Sequence, residues 1–299
     1  MMNNRIFFHA DDYGVTPDQA SKILCCHADG ALNSISVIAN VPQLEECLCI
    51  LDAEDQEHQI RRVLHLNFVE GRPVAAPEQV SLLVDETGYF NCSFMQLLKW
   101  NYTKKGNSRK KLKEQLKLEI TAQLARVTRE CDYHITAIDS HQHYHMIPIV
   151  LEALLEVLEE QKILVQEVRV PVDPLTPLLR TPSMWCKVPL INWVKWGILA
   201  IHAKGNKKLL AQQGIRVPVF FGIFFTCEMK TEIVEALLPQ YKEYADKKQK
   251  SLELMFHPGN LTAKYELLDE RSKELEDFYL SDNRFAEAEC LRKVQRLGW

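Results

Sequence analysis

Seven short apolar runs punctuate this chain, and most are followed by a stretch patterned as a helix. Arg5–Ala10, Ser34–Ala39, Arg62–Phe68, Ile135–Ser140, Val165–Val170, Val217–Phe225 and Leu252–His257 have the length and residue types of strands. Between them, Pro17–Ala28, Val41–Leu51, Ile147–Gln161 and Thr231–Lys247 carry helical spacing, with Thr231 as a candidate N-cap. Asn107–Arg129 places Leu112, Leu116, Ile120, Leu124 and Val127 on one helical stripe. Such alternation predicts an α/β fold of parallel strands joined by helical crossovers and covered on both faces. Either a barrel or an open sheet satisfies it, and in both, ligands gather at the carboxyl ends of the strands. Residues 1–299 are expected to form a single catalytic domain, and the proline-rich stretch 171–214 an excursion from one strand–helix loop.

Composition narrows the setting. A formal charge of −4 gives no reason to expect a nucleic-acid partner, and the basic run KKGNSRKKLK (Lys104 to Lys113) suits a solvated helix start. The nine cysteines are odd in number and lack C-x-x-C spacing, which favours reduced thiols over a disulfide framework. The opening MMNNRIFFHADD reaches carboxylates too soon for a signal-peptide core. The longest apolar stretch, VPLINWVKWGILAIHA, is broken by Pro189 and Lys195 and is too short to span a bilayer. It suits a surface-seeking segment, a cleft wall or an oligomer contact. The expectation is a cytoplasmic protein with no membrane partner, for which a homodimer is a reasonable assembly.

Polar residues then cluster where the strands end. The first run ends in His9, Asp11 and Asp12, and the third in His65 and Asn67, with Glu70 just beyond. The fourth ends in Asp139, Ser140, His141, His143 and His145, and the last in His257. If DSHQHYH is extended, His141, His143 and His145 share one face with Asp139, which is costly unless they bind a metal, pair with acids or meet solvent. Asp139 is placed to orient an imidazole by accepting its second N–H. A polar rim on the sheet is the structural alternative for any one histidine. Together with Asp12 and His65, the cluster points to a divalent ion such as Zn²⁺.

The adjacent carboxylates of HADDYG make sense beside such an ion. One would be a ligand, and the other would be free to take the proton of a metal-activated water. Gly14 permits the tight turn that follows. A helix N-terminus favouring Asp12 is the bland reading, and the two are compatible. His257, before Pro258, suits either protonation of a leaving group or packing. Arg169 suits either a pair that keeps Asp11 ionised or a surface salt bridge.

HADDYG, LHLNFVEGRPV, DSHQHYHMIP and LMFHPG together resemble the motifs of the YdjC-like (ChbG-type) carbohydrate deacetylases, a family that includes the enzyme removing one acetyl group from chitooligosaccharides. The motifs run from Phe8 to Gly259. That resemblance, and the further one to NodB-type polysaccharide deacetylases, implies a distorted, incomplete (β/α) barrel holding one divalent metal ion, Mg²⁺ or Zn²⁺. It implies Asp12, His65 and His141 as ligands, Asp11 as general base and His257 as general acid. Arg169, with Pro171, would steady the base, and His143 and His145 would lie behind the ligands or face the substrate. The implied reaction is hydrolysis of an N-acetyl group on an amino sugar or short oligosaccharide. Val63 stands where relatives often carry glycine, and Thr181–Gly205, with Trp185, Trp193 and Trp196, does not align, so the substrate can differ from chitobiose. Those tryptophans suit sugar stacking or a buried lid equally. A non-catalytic sugar-binding protein that keeps the metal, and a metal-dependent phosphoester hydrolase, are the competing functions.

Overall fold

The computed structural model describes residues 5–130 and 133–296. Seven parallel strands form its centre: β1 (Ile6–Tyr13), β2 (Ser34–Ile38), β3 (Arg61–Leu66), β4 (Ala137–Ser140), β5 (Glu167–Val168), β6 (Val219–Phe221) and β7 (Leu252–Phe256). Helices fill the intervals: α1 (Pro17–Ala28), α2 (Leu44–Glu54), α3 (Phe94–Thr103), α4 (Gly106–Ala125), α5 (Pro148–Gln161), α6 (Leu175–Leu179), α7 (Pro182–Trp185), α8 (Leu190–Gln212), α9 (Thr231–Lys248), α10 (Lys273–Tyr279) and α11 (Asp282–Arg296). The sheet order is β5-β4-β3-β2-β1-β7-β6, which curls into an incomplete α/β barrel. Its two edges meet at one point: Arg216, just before β6, bridges Glu167 of β5.

Local chemistry sets the boundaries. Thr16 caps α1, its hydroxyl accepting the Gln19 N–H at 3.1 Å, and Pro17 occupies the first helical position, where no donor is needed. Pro148 opens α5 in the same way. The stripe expected from Leu112, Leu116, Ile120 and Leu124 is buried along α4. That helix ends at Ala125, earlier than its spacing suggested, and widens into a π turn over Arg126–Glu130. Lys230 is the cap of α9, so Thr231 is its first residue and not the cap expected.

Two strands are shorter than the apolar runs that announced them. Pro218, which has no N–H, stands in front of β6. Beyond Phe221, the Gly222 and Ile223 amides donate to the Asp173 carboxylate at 2.9 and 2.8 Å instead of continuing the ladder. In the same way Pro171 ends the extended segment after β5, whose ladder keeps only Glu167 and Val168.

The stretch between β5 and β6 folds as α6, α7 and α8. Trp193 and Trp196 pack their rings against Phe224 at 4.7 and 5.8 Å, and the Trp196 indole donates to the Asp173 carbonyl at 2.9 Å. Those two tryptophans are packing residues. Trp185 leans on Trp193 at 5.0 Å and remains 42% exposed.

Asp173 also accepts the Tyr241 hydroxyl at 2.8 Å, so one buried carboxylate satisfies three donors from two elements. Asp173→Ala is expected to lower stability by about 3 kcal/mol in urea unfolding, because buried donors left unpaired cost about 1–3 kcal/mol each. A loss below about 1 kcal/mol would show that water replaces the carboxylate at little cost.

Candidate active site

The first strand carries its two carboxylates on a bulge. Ala10 pairs with Ile35 and Tyr13 with Val37, so three steps of β1 span two of β2. Asp12 absorbs the extra residue in the left-handed region, at φ 62°, a conformation that costs most non-glycine residues energy. Without the bulge, neighbours on a strand face opposite sides. With it, Asp11 and Asp12 both serve one end of the sheet. Gly14, at φ 102°, completes the turn, and the Gln19 side chain ties it by donating to the Asp12 carbonyl at 2.6 Å.

Asp12, His65 and His141 are buried, and each offers a ligand atom within 4.8 Å of the others. Asp12 Oδ1 lies 2.8 Å from His141 Nδ1 and 3.4 Å from His65 Nε2. The other nitrogen of His65 is held by Asp139 at 2.7 Å and Ser36 at 2.9 Å, which aims Nε2 at Asp12. Burial pushes the His65 imidazolium down, yet Asp139 and Asp12 more than reverse it, to about 10. The same opposition holds at His141, where Asp12 outweighs burial and raises it. Positive charge is therefore favoured here. His141 Nε2 is buried without a hydrogen-bond partner, 3.5 Å from Glu70 Oε1. Two imidazoles and a carboxylate with such orphaned atoms fit a divalent ion.

A second cluster, His9, Asp11 and Asp139, has comparable spacing but is already neutralised. Arg169 donates to both oxygens of Asp11, at 2.8 and 2.7 Å, and lies 2.8 Å from Asp139 Oδ2. Its Nε donates to Glu253 at 2.6 Å, and Glu253 also accepts from Arg61 at 2.8 Å. The Arg169 guanidinium already supplies this cluster with a cation. Burial would raise the Asp11 carboxyl, but Arg169 and His9 hold it well below the usual range, so it stays ionised. His9, 3.2 Å from Asp11 and 3.4 Å from Asp139, is raised against the effect of burial by the two carboxylates.

The DSHQHYH stretch is not extended beyond β4. His141–Met146 forms a tight turn with Gln142 and His143 at positive φ, so the three histidines diverge where a shared face was expected. His141 joins Asp12. His145 is fixed at both nitrogens, by Ser140 at 2.6 Å and the Arg169 carbonyl at 2.8 Å, and burial pushes it down to about 4. It positions Arg169. His143, partly buried, faces the Phe220 ring at 6.4 Å, and its Nδ1 has no partner among the described residues. Burial and then Arg169 hold it well below the ordinary histidine range. Asn67 spends its amide joining two loops, donating to Asn40 after β2 at 2.9 Å and accepting from Val69 after β3 at 2.9 Å.

The C-terminal helices supply groups that the strand-end reading did not reach. Arg284 lies 3.3 Å from Asp12 Oδ2 and donates to the Gly259 carbonyl at 3.1 Å. Gly259 sits at φ 81°, and a Cβ there would come within 2.8 Å of Ile23. Tyr279 donates to Glu70 at 2.6 Å, and Glu287 accepts the His257 backbone N–H. His257 Nε2 lies 3.9 Å from Asp11 Oδ2. Nothing in the patterning of α11 marks Arg284 or Glu287. Glu253 had a signal, since a charge inside the apolar run LELMF needs a buried partner. Arg169→Met is expected to destabilise the protein by about 3–5 kcal/mol in urea unfolding, leaving buried carboxylates uncompensated. A near-neutral result would mean that the acids protonate or hydrate without consequence.

Over 98% of this chain and 93% of the other, the structure matches a crystal structure assigned to cellobiose-phosphate cleavage from Enterococcus faecalis V583, with TM-score 0.67 and 18% identity. At that identity the likeness is one of fold. A carbohydrate deacetylase of Xenopus laevis is 26% identical over 271 residues, covering 83% of this chain and 79% of that protein. One from Thermoanaerobacter pseudethanolicus is 28% identical over 151 residues, 50% of this chain and 55% of its own. A human carbohydrate deacetylase is 29% identical over 156 residues, 52% of this chain and 45% of its own, so the match spans about half the length of several such relatives. The family model described as YdjC-like protein matches residues 5–295. This chain belongs to the YdjC-like family.

Proposed function

We propose that the protein is a metal-dependent hydrolase that removes an N-acetyl group from an amino sugar or short N-acetylated oligosaccharide. The observation that carries this reading is the adjacency of two unlike charge centres. The Asp12, His65 and His141 trio suits a cation, while Asp11, beside it on the same bulge, is held ionised by Arg169. The carbohydrate deacetylase relatives support the substrate class.

A divalent ion held by Asp12, His65 and His141, Zn²⁺ or Mg²⁺, would supply Lewis-acid polarisation of the acyl oxygen and acidify a water. The protein's own groups do the rest. Asp11 accepts the proton of the attacking water. Its low proton affinity means that it keeps that proton only briefly, and His257 Nε2 is 3.9 Å from its Oδ2. His257, anchored through its backbone on Glu287, gives a proton to the departing amine nitrogen. The eight described cysteines are free, consistent with work in the cytoplasm, and Cys131 lies outside the described residues. Arg169 also counts against a phosphoester hydrolase with two metals, because it occupies the second cluster.

The test is mass spectrometry of metal-loaded protein with a panel of N-acetylated mono- and oligosaccharides, watching for loss of one acetyl. Asp11→Asn and chelation are each expected to abolish acetate release, and His65→Ala to lose the ion. Release that survives both Asp11→Asn and chelation would sink the reading. Removal of a carboxylate that orients a ligand typically costs about ten- to a hundredfold in metal affinity. Asp139→Asn is therefore expected to weaken Zn²⁺ binding by about that factor in calorimetric titration, and unchanged affinity would show that Asp139 does not orient His65.

A further inference from the structure

Acidic residues are absent from two long segments, Thr87–Lys113 and Pro174–Cys227, each of which carries seven lysines and arginines, although the whole chain has a formal charge of −4. The structure brings these segments together. Tyr102, at the end of α3, places its hydroxyl 3.3 Å from His202 Nδ1 of α8. On α8, Leu190, Val194 and Ile201 fall within less than half a turn of one another around the axis, at the 3.6-residue repeat of a helix. They are 80%, 50% and 75% exposed, with Ile191 beside them at 59%. Trp185 just before α8 and Tyr102 extend the apolar surface.

Lysines frame this stripe. Lys195, Lys204 and Lys208 are exposed on α8 and have no carboxylate partner among the described residues. Lys104 and Lys105 lie two and three residues beyond Tyr102. Some basic groups of the two segments are neutralised from elsewhere, as in the Lys187–Glu232 and Arg109–Glu152 pairs at 3.3 and 2.8 Å, but those on the stripe are not.

We propose that this face, centred on α8, docks on the surface of an anionic lipid bilayer. Aliphatic side chains and tryptophan between unpaired lysines are what an interfacial helix presents to acyl chains and anionic headgroups. No helix of the described residues is long and apolar enough to cross a membrane, so the contact lies on the surface. Charge decides against the other occupant an apolar stripe suggests. A two-fold contact between copies would set Lys195, Lys204 and Lys208, which have no carboxylate partner among the described residues, against a second set of the same lysines.

The experiment is co-sedimentation of the full chain with vesicles of phosphatidylcholine alone and with about one third phosphatidylglycerol. Binding is expected only to the anionic vesicles and is expected to be lost as salt rises. The triple variants Leu190→Ser/Val194→Ser/Ile201→Ser and Lys195→Glu/Lys204→Glu/Lys208→Glu should each bind at least about tenfold less while melting like the parent. Should the serine variant fail to fold, the glutamate variant decides. Absence of binding, or equal binding by the variants, overturns the proposal. So does a lipid-free dimer in sedimentation velocity that the serine variant dissociates, which would give the face to a second copy. Retention of an oligonucleotide that the serine variant leaves intact would give it to nucleic acid.

Discussion

Arg169 is fully buried where Asp11, Asp139 and Glu253 converge, and the site is arranged around that one charge. Burying a guanidinium is expensive, and only well-placed hydrogen bonds to opposite charges offset the loss of water. Arg169 has them: two to Asp11, one to Glu253 and a close approach to Asp139. Each partner reaches a different strand, so the guanidinium joins β1, β4 and β7 through charge as the ladder joins neighbours through the backbone. Asp139 then passes the constraint to His65 and His65 to Asp12. The outcome is two neighbouring zones of opposite demand. One is satisfied by an internal cation, and the other gathers Asp12, His65 and His141, which could hold an external one.

Much of this was legible before any coordinates. Seven apolar runs became seven strands, because a strand covered on both faces leaves a simple apolar signature. Asp12, His65 and His141 converge because strand ends in a parallel sheet lie together, and that rule needs only sequence order. What escaped prediction depended on dihedrals or on distant helices. The positive φ at Gln142 and His143 separates three histidines that an extended chain would align. Arg284 reaches Asp12 from a helix whose periodicity marks only which side is buried, not which buried charge will meet which. The extent of β6 was misjudged because an apolar run does not reveal that Asp173 takes the next two amides.

The bulge in β1 also changes the meaning of two adjacent acids. In a regular strand the pair would be divided between opposite faces of the sheet. One residue in a left-handed conformation brings both to the same end, where their environments differ sharply. Asp11 is gripped at both oxygens by a guanidinium that never gives up its charge, whereas Asp12 is held by the His141 imidazole, with Arg284 farther off at 3.3 Å.

The contact between Arg284 and Asp12 closes over 272 residues of chain, and β1 likewise waits for β7 before it is paired on both sides. During synthesis, the carboxylates of the first strand therefore leave the ribosome long before their last cation and last neighbouring strand exist. Pairings this distant form late, after the intervening chain has been made. A nascent chain can assemble β1, β2 and β3 and still lack His257, Glu287 and Arg284. Completion of the site thus coincides with completion of the fold, and partial products of translation carry the recognisable motifs of the first strands without a finished centre.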